Sequence, residues 1–261
     1  MRIVFLTQDD PLYILPFFEE FVKNYAAEFD IAGVFSSPMM GKRSRSQMLR
    51  ELPQLYGWIG FMRLLAMRTY AGLRGRKPQG RNATRFFSLR QLCGSRRITY
   101  SRIRNPNDHA FRESLAALLP DVVISVACPY VLKSEILKIP SLACINIHHA
   151  PLPFFKGMMP SFWQMYHETS TVGVTVHLMA AKLDEGDAIL QDSMPIAPGE
   201  TLHRLIRRSK RNGAHVMARA LRLLGEGEYT VIPIGGDRGS YFTFPKAEEI
   251  RDFRRRGFRA I

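Results

Sequence analysis

The chain opens on an unbroken apolar run, Ile3-Val4-Phe5-Leu6. Such a run is the pattern of a parallel strand buried on both faces, and a strand is expected over Arg2 to Thr7. Phe17, Phe18, Phe21, Val22 and Tyr25 then recur at helical spacing, which predicts a helix between Pro11 and Phe29. A second strand is expected over Asp30 to Ser36. Strand, helix, strand in this order is the β-α-β opening of a doubly wound α/β sheet. No G-x-G-x-x-G stands at the first turn, so a dinucleotide site there has no support.

Two helical stretches follow, Ser44 to Leu52 and Leu55 to Leu73. In the second, Leu55, Ile59, Met62, Leu65, Ala66 and Tyr70 share a face, with Trp58 and Phe61 nearby and Arg63 and Arg68 interrupting. Arg74 to Thr84 reads as an exposed loop. A strand is expected over Ile98 to Tyr100, then a helix from Ala110 to Leu119, capped by Asn107 or Asp108 and ended by Pro120. Asp121 to Ala127 is a β-branched, fully buried strand, followed by a short helix over Val131 to Lys138. Ala143 to His148 and Val172 to Met179 are further strands, and Ala188 to Gln191 is expected to pair with Val172 to His177. Thr201 to Leu224 predicts a long helix. Short strands at Tyr229 to Pro233 and Tyr241 to Pro245 precede a last helix from Glu248 to Arg256. The expected fold class is α/β, a doubly wound and mostly parallel sheet. Residues 1–200 would form the main unit, interrupted by a helical insertion over 41–97. Residues 201–261 would form a C-terminal helix and short extension.

Composition narrows this reading. At 261 residues and 46% hydrophobic, the chain can bury a sizeable core and is not disordered. No apolar stretch approaches the roughly 20 residues of a spanning helix, and the first apolar run is too short for a signal peptide. Cys93, Cys128 and Cys144 are odd in number and far apart, as expected of thiols in a reducing cytoplasm. The net charge of +14 is concentrated. From Gly41 to Arg97 there are 14 Lys and Arg against one acid, Glu51, while the rest of the chain holds 23 basic and 22 acidic residues. Three readings of this segment stay open: a solvated surface, a contact for an anionic substrate such as a nucleotide or tRNA, or a membrane-surface contact through residues 55–73, where aromatic and apolar side chains interleave with arginines.

The candidate chemistry lies in Cys144-Ile145-Asn146-Ile147-His148-His149. Reactive groups of α/β sheets gather at the carboxyl ends of strands. Alternation along a strand puts Asn146 and His148 on one side. A second loop, Ala180 to Asp187, offers Asp184, Glu185 and Asp187. A carboxylate from it can orient the His148 imidazole. Amide, imidazole and carboxylate together suit acyl transfer, with the amide donating to a developing oxyanion. His149 and His177 are expected to be structural, and Asp187 to brace its loop. The histidines have no zinc spacing, so no metal is expected.

The run NIHHAPLPFFKGMMPSFW followed by GVTVHLMAAKLDEGDAIL resembles the signature of the folate-dependent formyltransferases: N-x-H, a proline loop ending in glycine, G-V-T-x-H and L-D-x-G-D in order. The likeness is strong over Pro120 to Ile196 and absent from Gly41 to Arg97. His149-Ala150-Pro151-Leu152-Pro153 departs from the family's S-L-L-P. The resemblance implies a formyltransferase-type, Rossmann-like fold and 10-formyltetrahydrofolate as formyl donor. It implies that Asn146 binds the formyl oxygen, His148 stabilises the oxyanion or moves a proton, and Asp184 orients His148. The pterin would sit against Tyr130, Val131 and Leu132 and against Leu183. The acceptor would be a small-molecule primary amine, an anionic one among the options, with a nucleotide- or lipid-linked amino sugar leading. Glycinamide ribonucleotide is disfavoured by Asp9-Asp10 at the first turn, where a phosphate would sit. tRNA is disfavoured because only Ala197 to Ile261 follow the core. A hydrolase of 10-formyltetrahydrofolate and a non-catalytic folate- or nucleic-acid-binding module are the rivals from other classes.

Overall fold

The structure, a computed structural model, describes residues 1–38, 45–179, 186–227, 229–234 and 239–261, excepting the side chains of 45–48. Its main sheet has seven strands in the order β3-β2-β1-β4-β5-β7-β8. β1 (Arg2–Gln8), β2 (Asp30–Ser37), β3 (Tyr100–Arg102), β4 (Val122–Val126) and β5 (Ala143–His148) run parallel. β7 (Thr171–Leu178) and β8 (Ala188–Pro195) close one side antiparallel. β6 (Lys156–Gly157) and β9 (Tyr241–Phe242) form a separate two-stranded ribbon. The mostly parallel α/β sheet expected from the sequence is therefore present, with the expected β7–β8 pairing. The expected strand at Tyr229 to Pro233 reduces to a single bridge, Ala188 to Ile232.

Helices cover both faces of the sheet. One face is packed by α1 (Leu15–Tyr25), α3 (Leu89–Arg96) and α7 (Leu202–Glu226), whose apolar sides bury Phe17, Phe21, Leu92, Met217 and Leu221 against Phe5, Ile124, Ile145 and Ile147. The other face is packed by α4 (His109–Ala117) and α5 (Ser134–Leu137) against Leu6, Val123 and Cys144. Each buried side chain of Phe, Leu or Ile size contributes roughly 1.5–3 kcal/mol of transfer free energy, so this two-sided core holds the strand ends rigidly. α1 begins later than its apolar period suggests. Asp10, itself 5% exposed, accepts the amides of Leu12 (2.8 Å) and Tyr13 (3.0 Å) and holds residues 11–14 in turns. α3, missed in the sequence, is capped by Ser88, whose hydroxyl accepts the Gln91 amide. The period there is masked by Arg90, Arg96 and Gly94.

The basic insertion and the C-terminal extension share a third core. α2 (Arg45–Arg74) is kinked where Gly57 adopts φ 69°. Leu55, Tyr56 and Leu64 from α2 pack with Phe162 of α6 (Pro160–Tyr166), with Leu202 and Leu205 of α7, and with Ile250 and Phe253 of α8 (Ala247–Arg255). Of the face expected from the sequence, Leu55 is buried before the kink, whereas Ile59, Met62, Leu65, Ala66 and Tyr70 are exposed after it. The kink rotates the second half of the helix so that Gly60, Leu64 and Ala71 turn inward, while Ile59 is 81% exposed. No described helix is long and apolar enough to cross a membrane.

Candidate active site at the carboxyl edge of the sheet

β5 ends at the carboxyl edge of the parallel strands. Ile145 and Ile147 point into the α1/α7 core, so Asn146 and His148 point the other way and stand half-buried on one side. Across the antiparallel β5–β7 pair, Asn146 faces His177 and His148 faces Thr175. The Asn146 amide nitrogen donates to His177 Nε2 at 3.0 Å. His177 is buried, and its Nδ1–H donates to the Leu178 carbonyl at 2.9 Å. That second bond selects the tautomer in which Nε2 can accept. One N–H of Asn146 is thus fixed. His148 donates from Nε2 to the Phe155 carbonyl at 3.1 Å, so Nε2 carries its proton in this arrangement. His177, expected to pack or bond structurally, makes such a bond, and its partner is Asn146.

The loop after β5 is clamped by three residues whose role the sequence did not disclose. Thr175 donates to the Ala150 carbonyl (2.7 Å) and accepts from the Leu152 amide (3.1 Å) and from Gln191 Nε2 (3.1 Å). Gln164, buried on α6, donates to the His149 carbonyl (2.9 Å) and accepts the Gly173 amide (2.8 Å). Gly173 is required by contact: a Cβ there would lie 2.6 Å from Pro151. Gly157 closes the loop at φ 92°, and a Cβ on it would meet the Phe242 carbonyl at 2.2 Å. These contacts explain a glycine and a threonine in G-V-T-x-H. The only sequence sign of Gln164 is a polar residue inside the apolar run Phe162-Trp163-Gln164-Met165.

His149 points away from the pair, as expected from strand alternation. It is buried against α7, with Nδ1 2.9 Å from Ser209 Oγ, while its Nε2 has no hydrogen-bond partner among the described residues. Burial, then the nearby charges of Lys210 and His148, hold its pKa well below the usual imidazole value. Lys210 is the other perturbed group here. Burial pushes its pKa down to about 7, against the pull of Asp10.

The expected Asp184 and Leu183 lie outside the described residues. Of the remaining expected folate contacts, Tyr130 donates its hydroxyl to the Arg104 carbonyl at 2.8 Å and Val131 is exposed. Leu132 is buried among Leu6, Val123 and Ile136, so it offers a ligand its backbone rather than its side chain. Asp187 accepts the Leu178 amide through its carbonyl (2.9 Å), a backbone brace at the foot of its loop. Among the described residues, no group of three or more His, Cys, Asp or Glu side chains is placed to hold a metal.

At the first turn, the amides that could cradle a phosphate are taken by the carboxylate of Asp10, whose other oxygen is 3.3 Å from Arg68. An incoming phosphate would have to displace a buried anion.

A family model described as formyl transferase matches residues 63–221. Methionyl-tRNA formyltransferase of Syntrophus aciditrophicus is 35% identical over 142 residues, 54% of this chain and 46% of the relative. That of Clostridioides difficile is 33% identical over 152 residues, 58% of this chain and 49% of the relative. The chain thus matches about half the length of these relatives. Among solved structures, phosphoribosylglycinamide formyltransferase from Anaplasma phagocytophilum superposes with a TM-score of 0.59 at 16% identity, covering 93% of this chain and 98% of that one. A sugar N-formyltransferase from Shewanella gives 0.55 at 18% identity, covering 93% and 76%. At these identities the superpositions establish the fold.

Proposed function

The chain belongs to the formyl transferase family, and from that premise we propose that it moves a formyl group from 10-formyltetrahydrofolate to a primary amine. The observation that carries the proposal is the Asn146–His177 bond: a half-buried amide at a strand end whose orientation is fixed by a buried histidine, its second N–H being the proposed donor to the substrate. In the proposed reaction the amine nitrogen attacks the formyl carbon, and the carbonyl oxygen becomes an oxyanion that receives the N–H of Asn146 and is stabilised by His148. The bond to N10 of the folate then breaks. The proton lost by the amine passes by way of His148 and Asp184 to N10, leaving a formamide and tetrahydrofolate. Asp184 follows β7 in the L-D-x-G-D run, and orienting His148 is its proposed role. Tyr130, Val131, Leu132 and Leu183 are proposed to line the folate side.

The proposed acceptor is an amino sugar on an anionic carrier. Asp10 at the first turn speaks against glycinamide ribonucleotide, whose phosphate would need that position. The surplus of arginines along one side of the molecule supports an anionic carrier. Methionyl-tRNA is the second reading, favoured by the sequence matches to methionyl-tRNA formyltransferases. Labelling the formyl carbon of the donor tests the proposal. Label recovered in a formamide of an amino sugar supports it, label in formylmethionyl-tRNA selects the second reading, and label released wholly as formate overturns both.

A further inference from the structure

The most unusual surface is on α2. After the kink at Gly57, the outward stripe of α2 is Trp58, Ile59, Met62, Leu65, Ala66, Thr69 and Leu73, which share a face at 3.6 residues per turn. It contains no charged residue, and Trp58 is 71% and Leu73 60% exposed. Arg63 and Arg74 line one edge of the stripe. An exposed apolar stripe of this length, headed by a tryptophan and edged by arginines, is the pattern of a helix lying in a lipid interface.

The same helix forms one wall of a groove of about 920 Å³, to which it contributes Met67, Tyr70 and Ala71. The opposite wall is the first half of α7, with Arg204, Arg207, Arg208 and Arg211; Arg85 comes from the segment before α3. Two glutamates, Glu19 and Glu200, also line it, so the groove carries five guanidinium groups against two carboxyls. Glu200 is committed to Arg208 at 3.4 Å, and burial raises the pKa of Glu19. Arg207 is anchored on the Leu12 carbonyl at 2.9 Å. Arg204 and Arg211 have no carboxylate within ion-pairing distance among the described residues, and the buried Nε of Arg208 has no partner there. The groove is thus built for an anion with several oxygens. It opens at the carboxyl edge of the sheet. Gly225, near the C-terminus of α7, lies against Met1 at the start of β1, so the N-terminal half of α7 is at the far end, beside Leu12. β5 stands two strands from β1, about 10 Å at the usual strand spacing.

We propose that the apolar stripe of α2 and the arginine groove form one surface, which rests on an anionic bilayer and takes the phosphate or diphosphate of a lipid headgroup into the groove. A second copy of this chain does not suit the stripe, because it would set one arginine rim against another. An anionic lipid surface complements both features at once, apolar to the stripe and negative to the rim. The proposal rests on the transferase reading in one respect only: it makes the acceptor an amine carried on such a lipid.

Flotation of the full chain with phosphatidylcholine vesicles, with and without phosphatidylglycerol, tests it. Wild type should float only with the anionic vesicles. Trp58→Asp with Ile59→Asp, both exposed and free of core packing, should abolish flotation while circular dichroism stays unchanged. Arg204→Gln with Arg211→Gln should weaken it roughly thirtyfold, the effect of two cations at about 1 kcal/mol each. Calorimetry with inorganic pyrophosphate tests the soluble source of the same chemistry. Pyrophosphate binding without vesicle binding overturns the lipid assignment. Failure to float with anionic vesicles, or variants that float like wild type, overturns the proposal. Formyl transfer to a soluble amine is read separately, as tetrahydrofolate release without vesicles, so its failure would leave the vesicle result standing.

Discussion

Lys210 gives the most quantitative prediction. Its half-buried side chain holds a desolvated ammonium that feels the charge of Asp10 and in turn acts on His149, and its pKa falls from 10.5 to about 7. Because the folded value lies below the unfolded one, the unfolded chain binds the extra proton between these limits. Stability should therefore rise with pH across the window from about 7 to about 10.5, at about 1.4 kcal/mol per pH unit. Integrated, this is roughly 5 kcal/mol, reduced to roughly 3 by the solvent that reaches the amine. Lys210→Met keeps the length of the side chain and removes the titration. The variant should be more stable than wild type by roughly 3 kcal/mol below pH 7, or about 6–12 °C in melting temperature for a chain of this size. The difference should shrink as pH rises and vanish near pH 10. Denaturant unfolding of both proteins from pH 6 to pH 10 measures it. A difference that does not change with pH, or a variant that is less stable throughout, would refute the assignment of a desolvated amine facing Asp10 and His149.

Three further perturbations follow from the site. Asn146→Ala removes the proposed oxyanion donor and should lower the rate of formyl transfer by about 10²–10³ with little change in folate affinity, read by single-turnover kinetics. His177→Phe removes the acceptor that orients Asn146; kcat should drop about tenfold or more while KM for the donor changes little, and combining it with Asn146→Ala should add almost nothing further. Gly173→Ala drives a methyl to 2.6 Å from Pro151 and should cost roughly 1–3 kcal/mol of stability, checked by thermal denaturation.

Much of the fold was legible because the signals were local. The apolar run Ile3 to Leu6 and the β-branched run around Val122 to Val126 read directly as buried strands, and β5 has the limits its sequence suggests. Asn146 and His148 were legible for the same reason: strand alternation alone sets them side by side. What depended on tertiary contact was not legible. The orienting role of His177 arises from β5–β7 register, which no local pattern encodes. Gln164 acts through the carbonyl of His149 and the amide of Gly173, from opposite directions in the sequence. That Leu55 is buried while the rest of the α2 face is exposed was not legible, because one glycine with positive φ rotates everything after it. The third core, joining α2 to α8 and to the end of α7, brings together segments some two hundred residues apart.

The central claim is transfer of formyl to an amine by a site built on Asn146 and His148. The most direct test incubates the protein with 10-formyltetrahydrofolate and follows tetrahydrofolate release with and without a panel of amino sugars on nucleotide and lipid carriers. Release that depends on one such amine, with the amine gaining one formyl group, is the predicted result. Release at the same rate with no amine present, or no release with any acceptor, would contradict it.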